Sequence, residues 1–393
     1  MKKISYRVLP TILVCSAMVL TACSDEDNGV AVGLMARKST SLFVATDRHE
    51  TGSGNNLALS VQTVASHDDV VIPHMVLLGG DYVGKGPDRG TTGQPAFSLN
   101  DMYAEIFSAL SPTDTETFFT YGSHDQGCTD GYKAFFSGPH HCDGYYVYGI
   151  SYAQMVFDTD SLTRAAVALY KEQGNNAGED TEHSPGRDGE GQPEGEGEGQ
   201  SGSGVPPAKP EEQGGLRAYN GIDVTDKFGI SAESATASFT SWVSTLTDHE
   251  PIVVMTHVPM HAHRGDNPGG MRWFEALSHA AKTHDVIVFY GHNHTLEEHG
   301  DSLDRNSYLL VPGDSISIQG DKIQGVQQRQ LNFAYANAGY LKLGWSTLVT
   351  FFDTDGNGHH DHMLLRRFNV LGDDDSYFGL TGKRNPYILR LKR

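Results

Sequence analysis

The chain alternates between short apolar runs and stretches with helical spacing, and this alternation predicts the order of its strands and helices. Apolar runs rich in β-branched and aromatic residues, typical of buried strands, lie at 41–46, 75–78, 117–121, 252–255 and 286–290. Apolar residues recur at helical spacing at 57–65, 102–110 and 271–281. The resulting β-α-β-α-β beginning implies parallel pairing of the first strands.

The other segments predict a partly antiparallel arrangement. We expect Tyr145–Tyr148 and Gln154–Phe157 to form an antiparallel strand pair, because only a few residues separate them. Helices are expected at 161–171 and 235–246, and strands at 308–311, 340–343, 347–352 and 363–365. Central strands in two runs with helices outside predict an α/β (α+β) protein with two sheets packed face to face.

Polar residues follow five of the predicted strands, at the points where each strand gives way to a loop. They are Asp47-Arg48-His49, Gly80-Asp81, Gly122-Ser123-His124-Asp125, Thr256-His257 and Gly291-His292-Asn293-His294. Open α/β sheets collect their ligands at such strand ends. One stretch alone is weak evidence, since Asp and His are common in turns, but their order and setting together predict a metal site.

The spacing of these residues suits two metal ions. Asp47 and His49 are two apart, as are His292 and His294, so each pair is expected to point to one side and grip one ion. The two oxygens of Asp81 can bridge two cations. Oxygen and nitrogen ligands without Cys favour divalent or trivalent Fe, Mn or Zn.

Such a centre suits phosphoryl transfer. Two cations can clamp a phosphoryl oxygen, activate a water and offset the charge on the leaving oxygen. The imidazole of His124 can then protonate the leaving alkoxide, and Asp125 can hold its tautomer.

The stretches resemble the motifs of calcineurin-like metallophosphoesterases, which carry Asp-x-His, Gly-Asp, Gly-Asn-His-Asp or Glu, His and Gly-His-x-His in this order. The likeness spans Ser41 to about Phe368. It implies a four-layer αββα sandwich with two mixed sheets, and a metal-dependent phosphoesterase acting on phosphate mono- or diesters. Nucleotides and phospholipids are equally compatible with the motifs.

The resemblance also implies roles for single residues. Asp47, His49 and His294 would hold one metal, Asp81 would bridge, and His257 and His292 would hold the second. Two further residues are candidates for substrate binding. Arg48 is expected either to reach the phosphate or to be a solvated loop arginine, and His261 either to line the pocket mouth or to lie in a wet surface loop.

Ser123 departs from the family pattern, which has Asn at this position. A serine hydroxyl is shorter than an asparagine carbonyl and a poorer ligand, so we expect the second ion to be held weakly or through water. This departure supports an alternative: a catalytically weak or inactive surface lipoprotein that uses its metal fold for binding.

The N-terminus is typical of a bacterial lipoprotein signal peptide. Lys2, Lys3 and Arg7 precede an apolar run at 8–20, which is shorter than the roughly 20 residues that cross a bilayer. We expect residues 1–22 to be removed, Cys23 to be lipidated and 23–39 to form a polar tether. The protein would then be anchored in the cell envelope, and Ser24 resembles an outer-membrane sorting signal.

Export changes the expectation for the cysteines. Cys128 and Cys142 are left as a pair in an oxidising compartment, so a disulfide is expected. Metal ligation by these thiols is the less favoured alternative, because neither has a second Cys at close spacing.

Much of the formal net charge of -20 lies in one segment at about 172–215 that is rich in Gly, Glu, Gln, Pro and Ser. Its composition predicts a disordered insertion within a single domain at 40–393, with an acidic docking arm as the alternative. The acidity and the lack of a basic stripe exclude an electrostatically gathered nucleic acid. The expected partners are a small phosphate ester and, through the lipid only, a membrane.

One further segment resembles the opening of a calcium loop. Asp353, Asp355, Asn357 and Asp361 offer oxygens at alternating positions, but Leu364 stands where a bidentate Glu would be expected. A hairpin turn rich in Asp, Asn and Gly is the alternative.

Overall fold

The fold is described from a computed structural model, which covers the predicted domain in segments. They are residues 39–49, 56–66, 73–82, 116–120, 122, 138–151, 154–155, 231–261, 269–292, 309–319, 326–371 and 387–392. The predicted signal peptide, tether, helices at 102–110 and 161–171, and acidic insertion lie outside these residues. Within them, no helix has the length and apolar character needed to cross a membrane.

One six-stranded sheet joins the first strands of the chain to the last. Its parallel half is β1 (Ser39–Ala45), β2 (Met75–Leu78) and β3 (Glu116–Phe119). Its antiparallel half is β12 (Trp345–Phe352), β13 (His362–Asn369) and β14 (Tyr387–Arg390). The order is β14-β13-β12-β1-β2-β3, which confirms the predicted parallel beginning and antiparallel end.

The second sheet is built from the middle of the chain. Its members are β4 (Gly138–His141), β5 (Tyr146–Ile150), β6 (Ile252–Thr256), β7 (Val286–Tyr290), β8 (Leu309–Leu310) and β11 (Ala334–Asn337). The order is β4-β5-β6-β7-β11-β8, with parallel pairs from β5 to β11 and antiparallel edges. A separate hairpin joins β9 (Ser315–Gln319) and β10 (Val326–Gln330).

Alternating side chains place the two sheets in the centre of four layers. Leu42 and Val44 of β1 share a buried cluster with Val253 and Met255 of β6, which is the core between the sheets. The intervening Phe43 and Ala45 pack instead with α1 (Asn56–Ser66). On the outer face of the second sheet lie α2 (Ala232–Val243) and α3 (Gly270–Ala280). The predicted αββα sandwich is confirmed.

Two predicted strands are wrong. The apolar run at 340–343 forms a 3-10 helix, Leu341–Leu343, because the chain reverses at Gly339 and Gly344, which have φ angles of 120° and 83°. Gln154 and Met155 are helical, because the Gln154 side chain accepts a hydrogen bond from the Ser151 N–H in a turn. The partner of β5 is β4 instead.

Tyr82 ties together the ends of β2 and β3. Its buried hydroxyl lies 2.9 Å from the carbonyl of Leu78 and 2.8 Å from that of Thr120, and it accepts the N–H of Gly80 at 3.1 Å. A hydroxyl has one proton, so it donates to one carbonyl at a time. The loop that begins at Gly80 is thereby fixed to two strands.

Tyr82→Phe is expected to lower the free energy of unfolding by about 1–2 kcal/mol, because the buried Gly80 N–H loses its acceptor. Urea denaturation measures this. Tyr148→Phe is the control, since the Tyr148 ring packs among aromatic rings, and it should change stability by less than about 0.5 kcal/mol. Equal effects of the two variants would contradict the role of Tyr82.

Candidate metal centre

Loops from both sheets meet at the carboxyl ends of β1, β2, β6 and β7. In the first sheet, the N–H groups of Asp47 and His49 donate to the carbonyls of Gly80 and Asp81, each at 3.0 Å. In the second, the N–H of Gly291 donates to the carbonyl of His257 at 2.9 Å. The loops are therefore joined in pairs by backbone hydrogen bonds before any side chain contributes.

Side chains then connect the two sheets. The carboxylate of Asp47 accepts the N–H of His292, with a shortest distance of 2.9 Å. The imidazole Nδ1 of His257 lies 2.8 Å from the carbonyl of Gly79. An added Cβ at Gly291 would collide with the Asp47 carboxylate, so the close approach of the loops requires glycine there.

The backbone conformation singles out the same residues. Among the residues that the structure describes, the non-glycine residues with positive φ are Asp47 at 55°, His49 at 48°, Asp81 at 54° and His292 at 70°. Each such conformation costs about 1–2 kcal/mol. Backbone strain of this kind clusters at functional sites, where the surrounding structure enforces it.

One group of candidate ligand atoms comes from Asp81, His257 and His292, all buried. The Nε2 of His257 lies 3.1 Å from Oδ2 of Asp81 and 3.2 Å from Nδ1 of His292. Their ligand atoms lie within 4.8 Å of one another, as a shared cation requires.

A second group is formed by Asp47, His49 and the same Asp81. The Nε2 of His49 lies 3.5 Å from Oδ1 of Asp47 and 3.8 Å from Oδ2 of Asp81. Asp81 belongs to both groups and is 1% exposed, so its two oxygens stand between them. Asp47 and His49 meet through left-handed loop residues and not through the alternation of an extended strand.

The electrostatics of the His49 ring reflect these carboxylates. Burial lowers its pKa, but the hydrogen bond to Asp47 and the negative charges of Asp81 and Asp47 outweigh burial and raise the pKa above 6.5. The pocket favours a positive charge at this position.

The donor set fits metal ions. Since a carbonyl only accepts, Nδ1 of His257 must donate to Gly79, and Nε2 of the neutral ring is left with a lone pair. That lone pair faces a carboxylate oxygen of Asp81 and a ring nitrogen of His292. Three electron-rich buried atoms at this spacing are stabilised by a cation or a proton among them. The pattern of nitrogen and oxygen ligands suits Fe, Mn or Zn.

Several predicted site residues lie outside the described residues. They are Ser123, His124, Asp125, Cys128 and His294. Gly122, which precedes Ser123, is described and lies against Asp81, since an added Cβ there would collide with the Asp81 backbone and carboxylate. The third motif therefore begins beside the bridging carboxylate.

Arg48 and His261 are both buried, at 5% and 0% exposed, so the alternatives of a solvated arginine and a wet loop are wrong. Arg48 lines a small cavity with Leu57 and Tyr82, on the side of β1 that faces α1. The Nδ1 of His261 lies 2.9 Å from the hydroxyl of Tyr335. Contact of either residue with substrate stays a prediction.

Cys142 carries a half-buried free thiol, whose pKa burial raises to about 12. The thiolate is therefore scarce at neutral pH, and metal ligation by Cys142 finds no support. Its predicted disulfide with Cys128 stays a prediction.

The candidate calcium loop connects β12 and β13 as a hairpin. Asp353 accepts the N–H groups of Gly356, Asn357 and Gly358, at 2.7–3.1 Å. In the part of the chain that the structure describes, the acidic side chains of this loop form no group of close ligand atoms. The hairpin alternative accounts for this segment, with its carboxylates satisfied by backbone N–H groups.

Two residues of the centre were missed by the sequence analysis. Tyr340 packs edge-on against His49, with ring centroids 6.0 Å apart. Tyr82 holds the loop of Asp81, as described above. Position 82 directly follows the Gly-Asp motif and was a detectable signal, whereas Tyr340 comes from a run that was predicted as a strand.

The comparisons with known proteins agree with this geometry. The sequence pattern of the calcineurin-like phosphoesterases matches residues 41–296, which contain all of the candidate metal ligands. The chain therefore belongs to the calcineurin-like phosphoesterase family. It is a metal-dependent hydrolase that acts on phosphate ester bonds.

Solved structures with similar folds include TT1561 of Thermus thermophilus, which is 13% identical at a TM-score of 0.35 and matches 85% of this chain and 100% of that chain. The phosphopantetheinyl hydrolase of Mycobacterium tuberculosis is 12% identical at a TM-score of 0.29, over 77% of this chain and 91% of that chain. No curated protein matches. The family assignment rests on the sequence match.

Metal binding is expected to stabilise the protein more as the pH rises. Without metal, the raised pKa of His49 contributes stability that is fully present below the pKa of the unfolded state and is lost as the pH rises through the folded value. A metal ion needs the neutral imidazole, so its affinity rises over the same range.

Urea denaturation with Mn²⁺ and with a chelator, between about pH 6 and pH 9, measures both effects. The difference in unfolding free energy should widen with pH, and the widening should shrink in His49→Gln. A difference that stays constant with pH would contradict this interpretation.

Proposed function

We propose that the protein hydrolyses phosphate mono- or diesters at a centre of two transition-metal ions. The observation that carries the proposal is the Asp81 carboxylate, shared by two ligand groups that come from different sheets. When bound, the ions would polarise the phosphoryl group and lower the pKa of the attacking water. Fe, Mn and Zn all suit the donor set.

In this proposal the described residues each have a distinct task. Asp47 and His49 hold one ion, His257 and His292 hold the other, and Asp81 joins the two sites. His294 completes the first group, as its motif predicts. The nitrogen of His257 that faces the centre is kept available, because Gly79 accepts the proton of the other nitrogen.

The proton on the leaving group is assigned to the third motif. His124 donates it to the departing alkoxide, and Asp125 holds the imidazole in the required tautomer. Support comes from Gly122, which places the start of this motif against Asp81. Arg48 and His261 are proposed as further substrate-binding residues.

Three alanine variants separate metal binding from proton transfer. His257→Ala should lose metal and hydrolysis together. His124→Ala should retain metal but lower kcat by about 100- to 10,000-fold. His141→Ala is the matched control, because its exposed ring pairs with Glu250 away from the centre, and it should change neither.

Metal analysis, together with hydrolysis of p-nitrophenyl phosphate and bis(p-nitrophenyl) phosphate, measures these outcomes. Metal retained by the wild-type protein without hydrolysis of any ester would favour the binding alternative. Loss of activity in His141→Ala equal to that in His257→Ala would also contradict the assignment.

Ser123 makes the second site weak in this proposal, because its hydroxyl replaces a better carbonyl ligand. Ser123→Asn should raise metal occupancy at limiting metal and raise turnover. Titration with Mn²⁺ measures the occupancy, and Ser123→Ala is the control that should not raise it. No gain in either quantity for Ser123→Asn would contradict the proposal.

We also propose that the enzyme is a lipoprotein of the bacterial cell envelope, acylated at Cys23. The lipoprotein motif that ends at this cysteine supports the proposal. Mass spectrometry of the mature N-terminus measures it, and an unmodified Met1 or an unlipidated Cys23 would contradict it.

A further inference from the structure

Tyr340 lies at the edge of the candidate metal centre, on a turn bonded to the loop that carries Asp47. The N–H of Leu341 donates to the carbonyl of Thr46 at 3.1 Å, and the N–H of Lys342 to that of Asp47 at 3.2 Å. The turn and the first metal motif therefore move as one unit.

Further contacts fix the shape of this turn. The side-chain amide of Asn56 donates to the carbonyls of Leu341 and Lys342, at 3.2 Å and 2.8 Å. Gly339 packs so closely on Trp345 that an added Cβ would collide with its backbone. A site residue held on such a rigid element keeps a defined position towards a ligand.

The Tyr340 ring faces the centre and also reaches solvent. It meets the His49 imidazole edge to face, with an interplanar angle of 87°. His49 is 8% exposed, whereas Tyr340 is partly exposed. Among the described residues, Tyr340 is the tyrosine, phenylalanine or tryptophan whose ring contacts a candidate metal ligand.

A phosphate ester whose phosphoryl group lies on the metal groups must extend its organic part towards the rim. The partly exposed face of Tyr340 offers a flat apolar surface there, and aromatic groups pack on such a surface better than saturated ones. We propose that Tyr340 forms the subsite for the organic part of the ester and selects esters with an aromatic group. This inference rests on the proposed function.

Binding of two phosphonates to the Mn²⁺-loaded full-length chain tests the subsite without requiring hydrolysis. Benzylphosphonate and cyclohexylmethylphosphonate have the same charge and similar size, but only the first is aromatic. Calorimetry should show that the wild-type protein prefers benzylphosphonate by about 5-fold. Tyr340→Leu should abolish this preference, and Tyr340→Phe should retain it.

Lys342→Ala is the control on the same turn, because it removes an exposed side chain without removing the ring. It should change both dissociation constants by the same factor and keep the preference. Metal content is measured in every variant, so that a loss of Mn²⁺ is separated from a loss of aromatic selection.

Two results would overturn the inference: a wild-type preference below about 2-fold, or a preference that persists in Tyr340→Leu. The wild-type measurement decides even if Tyr340→Leu does not fold. Hydrolysis of benzyl phosphate is measured separately. Its absence would overturn the proposed function, whereas the phosphonate preference decides the subsite alone.

Discussion

The structure depends on holding electron-rich side chains from two sheets against one buried carboxylate. Asp81 lies 3.1 Å from the imidazole of His257 in the second sheet and 3.8 Å from that of His49 in its own sheet. Such a group is unfavourable without a compensating positive charge. Its assembly therefore needs a rigid scaffold and points to cations as the ligands.

The scaffold provides this rigidity through its layers. Strands buried on both faces end at the same edge, and backbone hydrogen bonds join their loops in pairs before the side chains meet. Four non-glycine residues at this edge adopt left-handed conformations, each at a cost of about 1–2 kcal/mol. The packed sheets and the cross-sheet bonds offset this strain, so stability and metal binding are connected at the same loops.

The sequence predicted the sheets and the order of the ligands well, because apolar runs of buried strands and polar residues at their ends are local features. It failed where the outcome depends on distant contacts. The run at 340–343 is as apolar as a strand, but flanking glycines and bonds to Thr46 and Asp47 turn it into a 3-10 helix. The same error concealed Tyr340 as a neighbour of His49.

The closeness of Asp47 and His49 was predicted for the wrong reason. Alternation along a strand would place both side chains on one face, whereas the structure brings them together through left-handed residues in a loop. Short strands such as β4 and β14 were not predicted, because their sequences lack a long apolar run and their pairing is set by neighbours.

A crystal structure with excess Mn²⁺, analysed by anomalous scattering, tests the central claim most directly. Two anomalous peaks are expected, one bound by Asp81, His257 and His292 and the other by Asp47, His49 and Asp81, with the carboxylate of Asp81 touching both. Peaks that avoid Asp81, or a fully loaded centre in which a single ion contacts only one of the two groups, would contradict the account.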